Sequence, residues 1–202
     1  MEIKFSHVNS KIFSDLSFVI PKGEIVGIYG DNGDKLLRLI ALEDESKGII
    51  YFDGNRKLRR NYYLFRKTIE LVDKRFNNLF NIDSVYSYFV TYIRYKKMEV
   101  LDIDKKIKDS LRIVGLKVDI LDRRISTLTG SELKLLQFAL AFLSNPKVIL
   151  LDEPFRGLDL NARKKLVRII TRLKDKFSKT IVIYSNNPNY LYQYTNYLIV
   201  LD

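Results

Sequence analysis

The chain has 202 residues, of which 47% are hydrophobic, and this is enough for the core of one folded domain. It contains no cysteine, which excludes disulfides, thiolate metal sites and cysteine nucleophiles. The formal net charge of +11 is compatible with nucleic acid, an anionic membrane surface or an acidic partner. Because the basic residues are spread along the chain, we interpret most of them as a solvated surface. Two clusters remain candidate contacts, Lys57 to Arg60 and Arg94 with Lys96 and Lys97.

No segment of the sequence predicts a membrane span. The longest apolar stretches, such as those in LKLLQFALAFL, are too short to cross a bilayer, and the N-terminal MEIKFSHVNSK lacks the apolar core of a signal peptide. A role at a membrane would therefore require a membrane-spanning partner.

The first part of the chain predicts strands around a glycine-bearing loop. Ile3 to Phe5 and Leu16 to Ile20 are short β-prone segments, which we predict to be edge strands. Glu24 to Tyr29 predicts a strand that runs into the loop Gly30-Asp31-Asn32-Gly33, and Leu36 to Ala41 has helical character. This order of strand, loop and helix is typical of a phosphate-binding loop.

The middle of the chain changes from strands to helices. Gly48 to Gly54 predicts a strand that ends in a hairpin turn, and Thr68 to Val72 predicts a buried strand. Between about Ser84 and Leu121, apolar residues recur at helical spacing. We therefore predict an inserted helical subdomain.

The last part of the chain alternates helices and strands. The predicted elements are helix Ser131 to Leu143, strand Val148 to Leu151, helix Leu160 to Phe177, strand Thr180 to Tyr184, a short helix near Tyr190, and strand Tyr197 to Leu201. This alternation predicts an α/β fold with a mainly parallel sheet and helices on both faces.

The stretch from Leu128 to Asp159 reads LTGSELKLLQFALAFLSNPKVILLDEPFRGLD, and it resembles the signature and Walker B region of an ABC-type nucleotide-binding domain. The alignment with the family pattern has no gap. It covers the signature-like residues, the following helix, the acidic pair after a hydrophobic strand and the GLD turn. The resemblance implies one ABC-type domain over residues 1–202, with a P-loop NTPase-like sheet and an antiparallel edge β subdomain. Its helical subdomain would cover about residues 84–130 and carry the signature at its end.

The resemblance also implies roles for the acidic residues and their neighbours. Asp152 would hold Mg²⁺, directly or through water, and Glu153 would accept a proton from the attacking water or orient it. Asn186 aligns with the switch histidine of the family, and it can donate a hydrogen bond but cannot relay a proton. Asp159 would touch the opposite subunit of a nucleotide-sandwich dimer. The alternative for the Asp152–Glu153 pair is a solvated strand end.

The signature residues Thr129, Gly130 and Ser131 begin a helix, whose backbone N–H groups favour an anion. In the family, that anion is the γ-phosphate bound to the other protomer. Ser131 replaces a glycine and adds a side chain there. The alternative is that Thr129 and Ser131 only cap the helix.

The phosphate loop is the largest departure from the family. Its candidate nucleotide ligands are Gly30, Asn32, Gly33 and Lys35, but one loop residue, the glycine before the lysine and the hydroxyl after it are missing. Two carboxylates, Asp31 and Asp34, lie in this loop. At about 5 Å and an effective dielectric near 20, like charges repel by roughly 3 kcal/mol. The carboxylates escape this cost only if they point into solvent or are bridged by a cation.

Other family positions are also altered. Lys74 and Asn77 are the nearest candidates for the expected loop glutamine, and the aromatic residue that stacks on adenine would fall near His7 or Val8. The signature helix is unusually apolar because leucines replace basic residues, and it would bury either against a partner or in the core. These leucines are Leu133, Leu135 and Leu140.

Taken together, the resemblance implies an ATP- and Mg²⁺-dependent subunit of an ABC transporter, cytoplasmic and peripheral on the inner face of the cell membrane. Its expected partners are a membrane-spanning transporter subunit and a second nucleotide-binding domain, in a homodimer or a heterodimer; no nucleic acid is expected. The altered loop predicts weak or absent binding at the subunit's own nucleotide site. The alternatives are a competent ATPase of the same family, and a nonenzymatic scaffold or regulator that kept the fold.

Overall fold

The computed structural model of the chain describes residues 1–73 and 84–201. Its contacts divide the chain into two compact units. Unit 1 comprises Met1–Leu71, Pro146–Phe155 and Ile170–Asp202, and unit 2 comprises Val72–Asn145 and Arg156–Ile169. The nearest glutamine-loop candidates, Lys74 and Asn77, lie outside the described residues.

Unit 1 contains an antiparallel sheet of four strands in the order β2-β1-β4-β5. The strands are β1 (Ile3–Asn9), β2 (Leu16–Ile20), β4 (Lys47–Phe52) and β5 (Asn55–Arg56). The predicted hairpin is confirmed, because Phe52 pairs with Asn55 across the turn Asp53-Gly54. The prediction that the first segment is an edge strand is wrong. β1 pairs with both β2 and β4, so it is an inner strand of this sheet.

A second sheet in unit 1 has the strand order β6-β7-β8-β3-β9. The strands are β3 (Ile25–Tyr29), β6 (Ile69–Val72), β7 (Val148–Asp152), β8 (Thr180–Tyr184) and β9 (Tyr197–Val200). β8 is parallel to β7 and β3, and β9 is parallel to β3, as the sequence predicts. The residues of β8 are all buried and mostly β-branched, which is typical of a central parallel strand.

Three helices lie within unit 1: α1 (Gly33–Ile40), α2 (Tyr62–Arg66) and α7 (Pro188–Tyr194). α1 begins three residues before the predicted Leu36, and α2 is not predicted from the sequence. The hydrophobic core joins residues of both sheets with the apolar face of α1, whose Leu36, Leu37 and Ile40 are fully buried. The core thereby fixes where β3 ends and α1 begins.

Unit 2 is built from helices. It contains α3 (Val85–Tyr95), α4 (Ile103–Val114), short 3₁₀ helices at Val118–Asp122 and Ile125–Thr127, and α5 (Gly130–Leu143). α5 packs on α4 and α3. Leu135 and Leu140 of α5 are buried, which supports the core-packing alternative for these apolar residues. α6 (Leu160–Phe177) begins in unit 2 and ends in unit 1.

Side chains cap the N-termini of α3 and α4 in unit 2. Ser84 accepts a hydrogen bond from the Ser87 backbone N–H at the start of α3, and Asp102 accepts one from the Lys105 N–H at the start of α4. Within residues 1–73 and 84–201, no helix combines the length and the apolar character that a bilayer span requires.

Candidate nucleotide site

The carboxyl ends of three neighbouring strands bring the candidate residues of unit 1 to one sheet edge. Tyr184, the last residue of β8, is in register with Asp152 of β7 and with Ile28 of β3. Parallel strands end at the same edge, which is where ligands of α/β proteins bind. The phosphate loop, the Asp152–Glu153 pair and Asn186 therefore lie at one edge.

The phosphate loop is closely confined on two sides. Gly30 has a φ of +112°, and a Cβ at this position would lie 2.2 Å from the carbonyl oxygen of Leu201. A Cβ on Gly33 would lie 2.1 Å from Cδ2 of Tyr184. Both positions therefore require glycine, as the sequence has it, but the space beside Gly33 is filled by an aromatic ring.

The start of α1 has no side-chain cap. Asn32 adopts a left-handed conformation with a φ of 60°, and its carbonyl oxygen accepts hydrogen bonds from the N–H groups of Lys35 (2.9 Å) and Leu36 (3.0 Å). Leu36, which follows Lys35 where the family pattern expects a hydroxyl residue, is fully buried, and its hydrocarbon side chain has no atom that could ligate a cation. Lys35 is the remaining cation of the loop.

Lys35 pairs with its own neighbour. Its Nζ lies 3.2 Å from Oδ2 of Asp34, and both side chains are a little more than one-third exposed. Asp31 is exposed to solvent. Of the two loop carboxylates, Asp31 thus avoids the predicted repulsion by its exposure to solvent, whereas Asp34 pairs with the lysine that would bind phosphate.

Tyr184 is a site residue that the sequence analysis missed. It is only 7% exposed, and its hydroxyl donates a hydrogen bond of 2.8 Å to Oδ1 of Asn186. Burial raises the pKa of the Tyr184 phenol, and the negative charge of Glu153 adds to the effect. The signal was an aromatic residue at the last position of a strand whose other residues are all β-branched.

Glu153 is held in place by the segment that follows β8. Its backbone adopts a φ of 46°, its Oε2 accepts a hydrogen bond from Ser185 Oγ (2.9 Å), and its Oε1 accepts one from the Asn186 backbone N–H (2.6 Å). Ser185 is fully buried. Two donors therefore orient the carboxylate before any substrate arrives.

Asp152 lies at the end of β7 and is partly buried. Within residues 1–73 and 84–201, no group of three or more His, Cys, Asp or Glu side chains is arranged to hold a metal ion. Mg²⁺ is commonly held in nucleotide sites by one or two carboxylates, water and substrate phosphates. Asp152 fits such a site, whereas buried Leu36 removes the hydroxyl ligand that the family loop supplies.

In unit 2, Thr129 caps α5 through a capping box. Its Oγ1 accepts a hydrogen bond from the Glu132 N–H at 3.2 Å, and Glu132 Oε2 accepts one from the Thr129 N–H at 2.8 Å. Arg123 donates to Glu132 Oε1 at 2.6 Å. The hydrogen bond from the Thr129 N–H, followed by that from Arg123, lowers the pKa of Glu132. Thr129 therefore caps α5 as the alternative expects, and contact of Thr129 with a nucleotide stays a prediction.

The rest of the signature is open. Thr129 and Gly130 are exposed, Ser131 is half-buried, and a Cβ added to Gly130 would have no neighbour within 4 Å. Glu132 itself is the charged residue that the sequence analysis passed over, although the spacing Thr129-x-x-Glu132 is the pattern of a capping box. Asp159 also acts as a cap: its Oδ1 accepts a hydrogen bond of 2.8 Å from the Ala162 N–H in α6.

Neither residue considered for the adenine position is suited to stacking. Val8 is fully buried, and Nδ1 of exposed His7 lies 2.7 Å from Oδ1 of Asp15. The half-buried Phe13 instead lines a cavity of about 840 Å³ in unit 1, together with Lys35 and Arg38. The signal for Phe13 was an aromatic residue in the loop between β1 and β2.

Known proteins resemble this chain in sequence over most of its length. It is 24% identical over 204 residues to the energy-coupling factor transporter ATP-binding protein EcfA2 of Acetivibrio thermocellus, an alignment that covers 99% of this chain and 73% of that protein. It is 29% identical over 198 residues to the sulfate/thiosulfate import ATP-binding protein CysA of Bacillus cereus, covering 94% of this chain and 54% of that protein. The chain therefore spans about half the length of CysA.

Solved structures share the fold. The dimeric structure of MJ0796, described as a bacterial ABC transporter cassette, superimposes with a TM-score of 0.82 at 20% identity, covering 98% of this chain and 94% of that one. The structure of cbiO1 from Clostridium perfringens gives 0.85 at 22% identity, covering 98% and 83%. The model of the ABC transporter family matches residues 13–156, which is more than half of the chain. The chain therefore belongs to the ABC transporter family, as an ATP-binding domain.

Proposed function

We propose that the chain is the ATP-binding subunit of an ABC transporter and that its own nucleotide site is impaired. The start of α1 carries this proposal. The ring of Tyr184 fills the space beside Gly33, while Asp34 pairs with Lys35. A phosphate loop binds by closing its N–H groups and lysine around a polyanion, and this requires open space and a free positive charge. Crowding and charge pairing therefore both oppose ATP binding.

The subunit would act with a membrane-spanning transporter subunit and a second nucleotide-binding domain, on the inner face of the cell membrane. Its relatives support this: EcfA2 is an ATP-binding protein of an energy-coupling factor transporter, and CysA is an ATP-binding protein of sulfate/thiosulfate import. MJ0796 forms a dimer. We propose an import system, with this subunit in a homodimer or a heterodimer.

In such a dimer, the open start of α5 would contact the nucleotide of the partner. Thr129, Gly130 and Ser131 would face its γ-phosphate, and Asp159 would contact the opposite subunit. The Glu132 carboxylate lies at this helix start and is neutralised by Arg123. In a heterodimer with a competent partner, the start of α5 would complete the partner's nucleotide site, even if the chain's own site binds no nucleotide.

On the chain's own side, any bound nucleotide would meet Gly30, Asn32, Gly33 and Lys35. When bound, Mg²⁺ neutralises charge on the phosphate oxygens. Asp152 would provide its protein ligand. Glu153, fixed by Ser185 and by the Asn186 N–H, would orient the attacking water or take its proton. Phe13 would supply an aromatic face for the base.

A second candidate is a competent ATPase, and the arrangement of Glu153 favours it. The carboxylate is oriented by two donors, next to an aspartate at the sheet edge. This is the arrangement that general-base chemistry requires, even though the loop that delivers phosphate is altered.

Binding and turnover of Mg²⁺-ATP by the purified full chain distinguish the two candidates. We expect a Kd weaker than about 1 mM, and phosphate release that is the same for the native chain, Glu153→Gln and the control Glu99→Gln, an exposed carboxylate outside the site. Saturable Mg²⁺-dependent turnover that disappears only in Glu153→Gln would establish the competent ATPase instead. Failure to contact nucleotide even with a partner domain would favour a scaffold.

A further inference from the structure

We propose that residues 57–67 form a contact surface for anionic lipid headgroups. This segment, KLRRNYYLFRK, is termed the basic tyrosine patch, and it lies within unit 1. It includes one of the two basic clusters of the sequence, and the nucleotide site does not use it. The proposal concerns membrane contact without nucleotide, so it does not depend on whether the chain binds ATP.

The charge of the patch is unbalanced. From Asn55 to Thr68 the chain carries six Lys and Arg residues and no Asp or Glu. Arg66 pairs with Glu43 at 2.8 Å. Arg59 and Arg60 are exposed, and among residues 1–73 and 84–201 no carboxylate lies within ion-pair distance of either guanidinium. This local excess of positive charge is complementary to an anionic surface.

The patch is an ordered element that presents its side chains to solvent. Asn61 fixes the turn before α2, because its Oδ1 accepts from the Leu58 N–H at 2.7 Å and its Nδ2 donates to the Arg56 carbonyl at 3.1 Å. Phe65 anchors α2 by stacking on Phe52 of β4, with ring centroids 4.6 Å apart. The outward side chains of α2 are therefore held by an inward aromatic contact.

Those outward side chains are large and apolar or aromatic. Tyr62, Tyr63 and Leu64 are 43%, 51% and 53% exposed, and Leu58 is 37% exposed. Nζ of Lys67 lies 5.0 Å from the centre of the Tyr63 ring. Tyrosine is enriched where bilayer meets water, and Lys or Arg beside apolar side chains is typical of surfaces that lie on membranes.

A lipid surface accounts for both halves of the patch. Single-stranded nucleic acid would neutralise the arginines and stack on the tyrosines, but it would leave Leu58 and Leu64 in water. In a bilayer, the basic side chains would contact the lipid phosphates, and the leucines and tyrosine rings would lie just beneath the headgroups. Each Lys or Arg of the patch should raise the affinity for an anionic vesicle about fivefold, and this gain should become smaller as the salt concentration rises.

The test measures binding of the full chain, without nucleotide, to vesicles of phosphatidylcholine alone or mixed with phosphatidylglycerol. We expect binding only to the anionic vesicles. Replacing Arg59 and Arg60 by Gln should weaken it about thirtyfold. The control replaces Lys105 and Lys108, exposed lysines of α4, by Gln. It removes the same charge and should weaken binding by less than about threefold.

A second variant tests the apolar half of the patch. Tyr62→Ser with Tyr63→Ser keeps the charge and the Phe65 anchor. In 0.5 M salt the Debye length is only about 4 Å, so charge attraction is largely screened. The double variant should abolish the vesicle binding that the native chain retains at this salt concentration. Circular dichroism checks that each variant is folded. Equal losses in the arginine variant and the α4 control would overturn the proposal in favour of diffuse charge. So would absence of vesicle binding, or a patch-dependent preference for polyglutamate or an oligonucleotide over vesicles.

Discussion

Two helices of this chain begin at the segments that we predict to contact phosphate, and the two helix starts differ. At the start of α1, Asn32 offers no side-chain cap, and the Tyr184 ring lies against Gly33. At the start of α5, Thr129 and Glu132 form a reciprocal capping box, and the space around Gly130 is open. A side chain has no room at Gly33 and has room at Gly130, and each helix start carries a carboxylate that pairs with a basic residue.

The difference separates two requirements of an anion site. N–H groups and a helix dipole attract an anion, but only if the anion can approach and the local charge is favourable. At α1, the Tyr184 ring lies against Gly33 and Asp34 pairs with Lys35, which under our proposal restricts the approach of phosphate. α5 keeps access and neutralises Glu132 with Arg123. We therefore expect α5 to be the better preserved of the two phosphate contacts.

The largest expected effect comes from adding a methyl group at each helix start. Gly33→Ala would place its Cβ 2.1 Å from the buried Tyr184 ring, so the ring or the loop must move. We expect the free energy of unfolding to fall by about 2–3 kcal/mol. Gly130→Ala meets no atom within 4 Å and should leave stability unchanged or raise it by less than about 1 kcal/mol. Urea unfolding measures both.

The crowding explanation has its own check. If the clash with the Tyr184 ring causes the loss of stability, Gly33→Ala should lower the free energy of unfolding clearly less in a Tyr184→Ala background than in the native chain. An unchanged cost in that background, or equal costs at Gly33 and Gly130, would contradict the difference between the two helix starts.

The next effect concerns charge at the start of α1. Asp34→Asn removes the carboxylate that pairs with Lys35, and we expect Mg²⁺-ATP to bind about tenfold more tightly. Asp31→Asn removes the same charge from an exposed position and should change the affinity by less than about threefold. Calorimetric titration compares them. If both changes have the same effect, Lys35 is not held back by its neighbour.

A smaller effect separates the Tyr184 ring from its hydroxyl. Tyr184→Phe keeps the ring against Gly33 and removes the hydrogen bond to Asn186. We expect stability to fall by about 1 kcal/mol, with no gain in ATP affinity. A clear gain in affinity would show that the hydroxyl, rather than the ring, limits access to the loop.

The sequence predicts the sheet and most helices because they depend on local periodicity. β8 and α6 have the predicted bounds, since an unbroken apolar strand and a long amphipathic helix leave little choice. α2 escapes prediction because five residues hold barely more than one turn, and its position depends on the Phe65–Phe52 contact between distant segments. Strand order depends on such contacts too, which is why β1 was wrongly predicted to be an edge strand.

The candidate site is predictable where a motif names its residues and unpredictable where space decides. The sequence indicates Lys35, Asp152 and Glu153 directly. It does not indicate that Tyr184 lies against Gly33, because these residues are far apart in the chain and meet only through the pairing of β3 with β8. The missing loop residue predicts an altered site, but only the fold identifies what occupies the space.

The smallest expected effect tests the capping box at the start of α5 and depends on pH. Thr129→Ala removes the cap, and we expect a loss of about 0.5–1 kcal/mol at pH 7. The pKa of Glu132 is lowered in the folded chain. The contribution of the Glu132 carboxylate to stability is therefore fully present above the ordinary pKa of 4.5, and it is lost as the pH falls through the lower pKa of the folded chain. The cost of Thr129→Ala should therefore shrink at pH 3. Thermal unfolding of both chains at the two pH values measures it, and a cost that does not change with pH would mean that Glu132 does not take part in the cap.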